Sequence, residues 1–333
     1  MIRVAILGAS GFVGAELLRL LALHPALEPV AAFGDSQAGQ RLADVHPHLA
    51  LAYPELTVER YAAGALAGAE LVFAALPHGH SQALAAEILA TGAKFVDLGA
   101  DFRLDSAEAY ERWYKEPHQA PELLSTFVYG IPELHRERIA GARAVAAAGC
   151  YPTSAILALK PLIGLVDPET IVVDAASGVS GAGKGLKEET HFNSVDENFS
   201  AYGLLGHRHT AEMEMGLGAR VLFTPHLAPM NRGILATCYG VAKGACDPLA
   251  ALREAYAGEP FVHVSERPPS TKWTYGSNAV HLTARYDPRT GRVLAIAALD
   301  NLVKGAAGQM IQCANLMLGL EESAGLPRVG VWP

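Results

Sequence analysis

Three glycines, Gly8, Gly11 and Gly14, stand between a continuous apolar run over residues 2–7 (IRVAIL) and an amphipathic run over residues 12–23 (FVGAELLRLLAL). An uninterrupted apolar run predicts a strand buried on both faces of a parallel sheet, and apolar positions at helical spacing predict the helix that follows. A turn this short leaves little room for side chains. The spacing G-x-x-G-x-x-G meets that constraint: the first glycine allows the turn, the second lets an anion approach the backbone, and the third lets helix and strand pack closely. The first N–H groups of the helix have no partner within it and point toward the turn. Gly8, Ala9, Ser10, Gly11, Phe12, Val13 and Gly14 are therefore expected to cradle the pyrophosphate of a dinucleotide. The plain alternative is a strand–helix turn that binds nothing, and its place at the head of a βαβ pattern weighs against it.

That pattern continues. Residues 28–33, 71–76, 94–99 and 143–149 read as strands, a helix is expected near 81–91, and His24-Pro25 stops the first helix. Alternating strands and helices imply right-handed crossovers and a parallel sheet. After residue 150 the reading changes. Residues 170–177, 219–227, 233–242 and 279–287 look like longer strands, several with alternating faces, which predicts a mixed or antiparallel sheet with one covered face. Residues 301–319 read as a helix. A chain of 333 residues, half of them hydrophobic, has room for more than one core. The fold class expected is α/β, an N-terminal Rossmann domain plus a mixed α/β catalytic domain.

Charge and cysteine content exclude other classes. The net charge of −8 comes with no block of Lys and Arg, which disfavours nucleic acid as a partner. No apolar run reaches the ~18 residues of a membrane helix, and the N-terminus reads as a strand and not a signal peptide. Cys150, Cys238, Cys246 and Cys313 have no C-x-x-C pairing, so free thiols in a cytoplasmic compartment are expected.

Among these thiols Cys150 has a distinct setting. GCYPTS follows an apolar strand and precedes AILALKPLIG, and Pro152 suits the first turn of a helix. A cysteine at a helix N-terminus has donors and a dipole that favour the reactive thiolate. The ordinary role of a small buried residue is kept for Cys238 and Cys313, inside apolar strand and helix patterns. A thiolate needs a proton partner, and GHRHT supplies His207, Arg208 and His209. Two surface histidines are the bland reading of that segment, since H-x-H also occurs at 46–48 and 78–80 among 13 histidines. No cluster has metal-ligand spacing. GVSGAGKG at 178–185 nearly matches a P-loop, but Gly185 replaces the Ser or Thr that holds magnesium, so an ATPase is not expected. The loop can still present backbone donors to an anion, and Arg103 and Arg232 are further candidates for anion contact. At the ribose turn, Asp35 favours NAD and Ser36 favours NADP; the nearest arginine in sequence is Arg41, and the residues leave the choice open.

The motifs GASGFVGAELLRLL, LPHGHS, VDLGADFRL, AAGCYPTS, SGVSGAGK, GHRHTAEM, FTPHLAPMNRGILAT and DNLVKGAAGQ occur in this order through nearly the whole chain. In them the chain resembles the N-acetyl-gamma-glutamyl-phosphate reductase family of arginine biosynthesis, whose fold is like that of aspartate-semialdehyde and glyceraldehyde-3-phosphate dehydrogenases. The resemblance implies a domain at 1–149 that binds NADP, with a C-terminal helix at about 301–333 packing back on it, and a catalytic domain at 150–300. It implies Cys150 as the nucleophile that forms a thioester and His207 as the general acid/base. Arg103, His209 and Ser180 would hold the acyl-phosphate substrate. Ser36, Pro77, Gly181 and Asn301 would join the glycine turn around NADPH, with Asn301 near the nicotinamide. A homotetramer is implied as well. Two rivals remain: the reductase of lysine biosynthesis acting on a carrier-linked aminoadipyl derivative, which shares the glycine turn and GHRHTAE, and a non-catalytic dinucleotide sensor. PHLAPMNRG and GCYPTS look more like the arginine enzyme, and the joint presence of Cys150 and His207 stands against the sensor.

Overall fold

The computed structural model describes all 333 residues. The chain forms two compact units, Met1–Ala148 with Ala306–Leu326, and Gly149–Gly305 with Pro327–Pro333. No helix is long and apolar enough to cross a membrane.

The first unit holds strands β1 (Ile2–Leu7), β2 (Leu27–Phe33), β3 (Val58–Glu59), β4 (Leu71–Ala74), β5 (Lys94–Asp97), β6 (Phe127–Gly130) and β7 (Ala144–Ala147). Its helices are α1 (Phe12–Leu21), α2 (Leu42–Val45), α3 (Ser81–Ala90), α4 (Ala107–Tyr114) and α5 (Pro132–Ala140). The sheet is wholly parallel, in the order β3-β2-β1-β4-β5-β7-β6. The direction of winding reverses between β1 and β4, so a crevice opens at the carboxyl ends of these two strands, where such sheets bind ligands. The central strands are buried on both faces, as their unbroken apolar sequences require. One face carries α3 and a layer of Phe95, Phe102 and Phe127, with Phe102 and Phe127 stacked at 3.9 Å. The other face carries α5 and α10, introduced below.

The second unit holds α6 (Cys150–Leu159), β8 (Ile171–Gly178), α7 (Phe192–Val195), β9 (Ser200–Ala201), α8 (His209–Leu217), β10 (Val221–Ala228), β11 (Ile234–Val241), α9 (Pro248–Ala255), β12 (Val262–Val264), β13 (Val280–Asp287) and β14 (Arg292–Leu299). A π-helical turn over Val303–Ala307 leads into α10 (Gly308–Met317). The sheet is mixed, in the order β12-β13-β14-β11-β8-β10-β9, with parallel pairs only at β12/β13 and β8/β10. α6 and α9 cover one face, where every residue of α6 except Cys150 is buried. Each buried Leu or Ile there contributes roughly 1.5–3 kcal/mol of transfer free energy. The opposite face is partly exposed and mixed, with Val172, Leu222, Leu235, Tyr239 and Leu294 beside Asp174, Thr224 and Thr237.

Several elements differ from the sequence reading. Strands β3, β6, β9, β12 and β14 were absent from it. β14 (RVLAIAAL) is an inner strand whose burial alternates but whose sequence, after Arg292, is an unbroken apolar run, the kind that periodicity does not separate from a helix. The helix expected over 301–319 begins only at Gly308, after the π turn. The unit boundary also differs from the expected 301–333 segment. Residues 301–305 stay in the second unit because buried Asp300 accepts from the N–H groups of Leu302 (2.8 Å) and Val303 (3.2 Å). Residues 327–333 return to it through Asn278 N–H to Pro327 O (2.8 Å), Arg328 Nε to Pro260 O (3.0 Å) and Val331 N–H to Tyr275 O (2.8 Å). In the first unit α10 packs on α5 and β5, and its Gln309 Nε2 donates to Ala148 O at 3.3 Å.

Candidate active site

Cys150 is the first residue of α6, and Gly149 in extended backbone is its N-cap. No side chain caps this terminus, so its early N–H groups are available to a negative sulfur. Cys150 is partly exposed, whereas Cys238 in β11 is fully buried and its thiol is pushed up to about 12 by desolvation. A thiol held that high is inert at neutral pH. All four cysteines are thiols.

The tertiary fold brings both predicted histidines against Tyr151, the residue after Cys150. The ring of Tyr151 lies 5.8 Å from that of His207 and 5.9 Å from that of His209. The two imidazoles are 4.9 Å apart, and Phe223 and Tyr202 pack edge-on against His207. The backbone N–H of His209 donates to His207 Nδ1 at 3.2 Å. A backbone N–H can only donate, so the neutral His207 ring carries its proton on Nε2. Burial, reinforced by the nearby Arg208 charge, lowers the His207 pKa to about 4. The ring is therefore neutral at physiological pH. Tyr202 donates to the Tyr151 hydroxyl (3.1 Å), which donates to His226 O (3.0 Å). Desolvation raises both phenols, Tyr202 to about 12, with the charge of Cys150 adding to the effect on each.

Glu212, which sequence reasoning passed over as part of a helical stretch, is completely buried on α8. Its Oε2 accepts from the Gly149 N–H at 3.0 Å, and its Oε1 lies 3.9 Å from His209 Nε2. One carboxylate thus ties Gly149, the residue before Cys150, to His209. The available signal was its spacing, three residues after His209 and one turn along the same helix face.

A second group surrounds Asp300, also fully buried and also missed. Besides Leu302 and Val303, it accepts from the Gly276 N–H (2.7 Å), and Arg232 Nη1 lies 3.7 Å away. Arg232, expected as an anion contact, is thus engaged by Asp300 and by the ring of Tyr275. The clamp fixes Asn301, whose Oδ1 accepts from Gly233 N–H (2.7 Å) and whose Nδ2 donates to Ser180 Oγ (3.0 Å). Ser180, Gly181 and Asn301 therefore do come together. Gly305 also lies against Cys150: a Cβ on Gly305 would stand 2.7 Å from Cys150 Cβ. The P-loop-like segment proves to be a short 3₁₀ turn over Val179–Ala182. The N–H groups of Gly178, Val179 and Ser180 donate to the carbonyls of Gly233, Met230 and Asn231, so these three are not the anion donors the sequence suggested.

In the first unit, Gly8 has φ +83, and a Cβ there would overlap Ala75 O at the end of β4. A Cβ on Gly14 would come within 2.6 Å of Ala9 Cα, so α1 needs this glycine to sit on the turn. Gly11, by contrast, faces open space: its Cβ would meet only Gly8 O, at 3.5 Å. It is the N-cap of α1, where no side chain occupies the donors. An uncapped helix start beside an open glycine fits a pyrophosphate. The N–H groups of Gly8 and Ala9 both donate to Phe33 O (2.9 Å), and His46 Nε2 lies 2.9 Å from Ala9 O, a buried brace not foreseen. Pro77 follows β4, and Ser36 is exposed just beyond β2. Arg103 is buried in this unit and donates from Nη2 to Leu98 O (2.6 Å). It faces Asp97, whose carboxyl burial pushes up to about 7. No group of three or more His, Cys, Asp or Glu side chains is placed to hold a metal ion.

Comparison with known proteins agrees with this division. The family described as "Semialdehyde dehydrogenase, NAD binding domain" matches residues 3–142, and "Semialdehyde dehydrogenase, dimerisation domain" matches residues 150–301. The chain is 52% identical to the N-acetyl-gamma-glutamyl-phosphate reductase of Symbiobacterium thermophilum, across 100% of this chain and 99% of that one. It is 48% identical to the enzyme of that name from Desulforudis audaxviator, across the whole of both. Among solved structures, aspartate semialdehyde dehydrogenase II of Vibrio cholerae superposes with a TM-score of 0.72 at 18% identity, covering 96% of this chain and 98% of that one. The aspartate semialdehyde dehydrogenase of Candida albicans, solved with NADP, superposes at 0.70 with 15% identity, covering 96% and 98%. These two establish the fold alone.

Proposed function

The chain belongs to the N-acetyl-gamma-glutamyl-phosphate reductase family, and on that premise we propose that it reduces N-acetyl-L-glutamyl 5-phosphate to N-acetyl-L-glutamate 5-semialdehyde and phosphate, the third step of arginine biosynthesis from glutamate. The observation that carries the reading is Cys150 at the uncapped start of α6, one residue from the tyrosine that both His207 and His209 contact.

The residues divide the work as follows. The Cys150 thiolate attacks the acyl carbonyl, a tetrahedral species forms, and phosphate leaves a thioester on sulfur. The glycine turn with Ser36 and Pro77 would hold NADPH, Gly181 and Asn301 would be further contacts to it, and when bound it would supply the hydride chemistry that reduces the thioester carbon. The resulting thiohemiacetal on Cys150 collapses to the aldehyde and the thiolate. Negative charge grows on the former carbonyl oxygen in both tetrahedral stages. The neutral His207 ring offers its Nε2–H to that oxygen, which narrows the expected acid/base role to donation from Nε2. His209, Arg103 and Ser180 bind the anionic substrate, with Glu212 orienting His209.

NADP is the preferred cofactor in this reading, and a homotetramer the assembly. Self-association is supported by the open sheet face of the second unit. There Leu222, Tyr239 and Leu294 are incompletely buried, and Tyr239 pairs across β11 with Leu294 and Val172. An exposed cluster of large apolar side chains such as Leu222, Tyr239 and Leu294 is the kind of surface that interfaces use. Four thiols fit the reducing cytoplasm.

The test is steady-state turnover in the reverse direction with N-acetylglutamate semialdehyde, phosphate and either oxidised cofactor. Turnover with NADP⁺ is expected. Activity confined to the carrier-linked aminoadipyl substrate overturns the substrate assignment.

A further inference from the structure

Cofactor choice was open in the sequence because Asp35 occupies the ribose turn and no arginine adjoins it in the chain. Tertiary structure changes the inventory there. β2 and β3 run parallel with Ala32 opposite Val58 and Phe33 opposite Glu59, so the residues leaving both strands emerge at one edge. The Gly34 N–H donates to Glu59 O (2.9 Å) and locks this alignment. It carries Arg60 across to the turn, with its Nε 3.9 Å from Asp35 Oδ1. Both side chains are largely exposed, at 74% and 90%, so the guanidinium keeps donors for a ligand. Arg41, the nearest arginine in sequence, is already spent: its Nε and Nη2 each lie 3.0 Å from a carboxylate oxygen of Asp44. The turn is also joined to the glycine cradle, since a Cβ on Gly34 would stand 2.8 Å from Ser10 Oγ.

We infer that Arg60, reaching the ribose turn from the neighbouring strand, is the residue that receives the 2′-phosphate of NADP and sets its preference over NAD. An aspartate alone at this turn suits a ribose diol and repels a phosphate dianion. Arg60 opposite Asp35 offsets that charge and offers a planar fork of donors, the geometry suited to phosphate. Ser36, next in the chain, adds a hydroxyl donor. The inference rests on the NADP preference proposed above and names the residue responsible for it.

The experiment is calorimetric titration of the full-length protein with NADP⁺, NAD⁺, adenosine 2′,5′-bisphosphate and AMP, which needs no turnover. Arg60→Gln is expected to weaken NADP⁺ and adenosine 2′,5′-bisphosphate by about 10- to 100-fold, the worth of a hydrogen bond to a charged group. Binding of NAD⁺ and AMP stays within about twofold, since neither has the phosphate that the charge-assisted bond requires. Arg41→Gln leaves all four affinities unchanged. A wild-type protein that binds NAD⁺ as tightly as NADP⁺ overturns the cofactor reading and this inference with it. A wild-type preference for NADP⁺ that survives intact in Arg60→Gln overturns the assignment of Arg60 alone.

Discussion

Replacing Gly305 with alanine tests whether the Asp300 clamp serves the nucleophile. Gly305 is not among the positive-φ residues, so alanine brings no backbone strain, and its effect is steric. The new Cβ would lie 2.7 Å from Cys150 Cβ and 3.2 Å from its Cα. Carbon atoms in contact rest at about 3.5–4.0 Å, so one partner must retreat by roughly 1 Å. Gly305 is held by its own N–H to Asp300 O at 2.9 Å, and Asp300 by its three backbone donors. Cys150, at a helix end, is the partner that yields. Displacement of a reacting atom by ~1 Å costs about 10²-fold in rate. Overpacking of this kind costs about 1–3 kcal/mol of stability. The expected result is a kcat reduced about 100-fold, slower alkylation of Cys150 by iodoacetamide, and a melting temperature lower by roughly 2–4 °C for each kcal/mol lost. Gly244→Ala is the control, because nothing lies within 4 Å of a Cβ there. Full kcat in Gly305→Ala, or equal loss in the control, refutes the reasoning.

Four further outcomes are expected. Cys150→Ser retains NADP⁺ affinity and lowers turnover by at least ~10⁴-fold, measured with calorimetry beside steady-state rates; unchanged turnover removes the thioester. His207 stays neutral in the fold down to about pH 4, while the unfolded chain protonates it below about 6.5. The unfolded state therefore binds more protons between these values, and stability falls with falling pH. His207→Asn is expected to lose about 2 kcal/mol less than wild type between pH 8 and pH 5 in urea titrations, and parallel curves contradict this. Glu212→Ala strands the buried Gly149 N–H at a cost of about 1–3 kcal/mol. Glu212→Gln keeps an acceptor there and so retains the fold while raising KM for the acyl phosphate; a melting temperature equal in the two variants speaks against the tether. Leu222→Asp with Tyr239→Lys is expected to reduce the solution mass by light scattering, and an unchanged mass excludes the open sheet face as the interface.

How much was readable in advance follows from the range of the interactions involved. The glycine turn, the strand–helix alternation and the setting of Cys150 are local: tight turns, helix starts and buried parallel strands leave their requirements within a few consecutive residues. The family motifs likewise run in chain order. β14 escaped because its sequence is an unbroken apolar run, and the π turn at 303–307 because it follows Asp300, whose carboxylate also accepts from the distant Gly276. What the sequence by itself determined is the setting of Cys150 at a helix start, the histidine pair of the GHRHT segment, the glycine turn and the two-part α/β plan. Only the tertiary structure decided which nitrogen of His207 holds the proton, that Glu212 and Asp300 brace the surroundings of Cys150, and that Arg60 and not Arg41 lies beside Asp35. Each of these depends on a pairing between segments separated in the chain, or on burial that shifts a titration, and no short stretch of sequence specifies either.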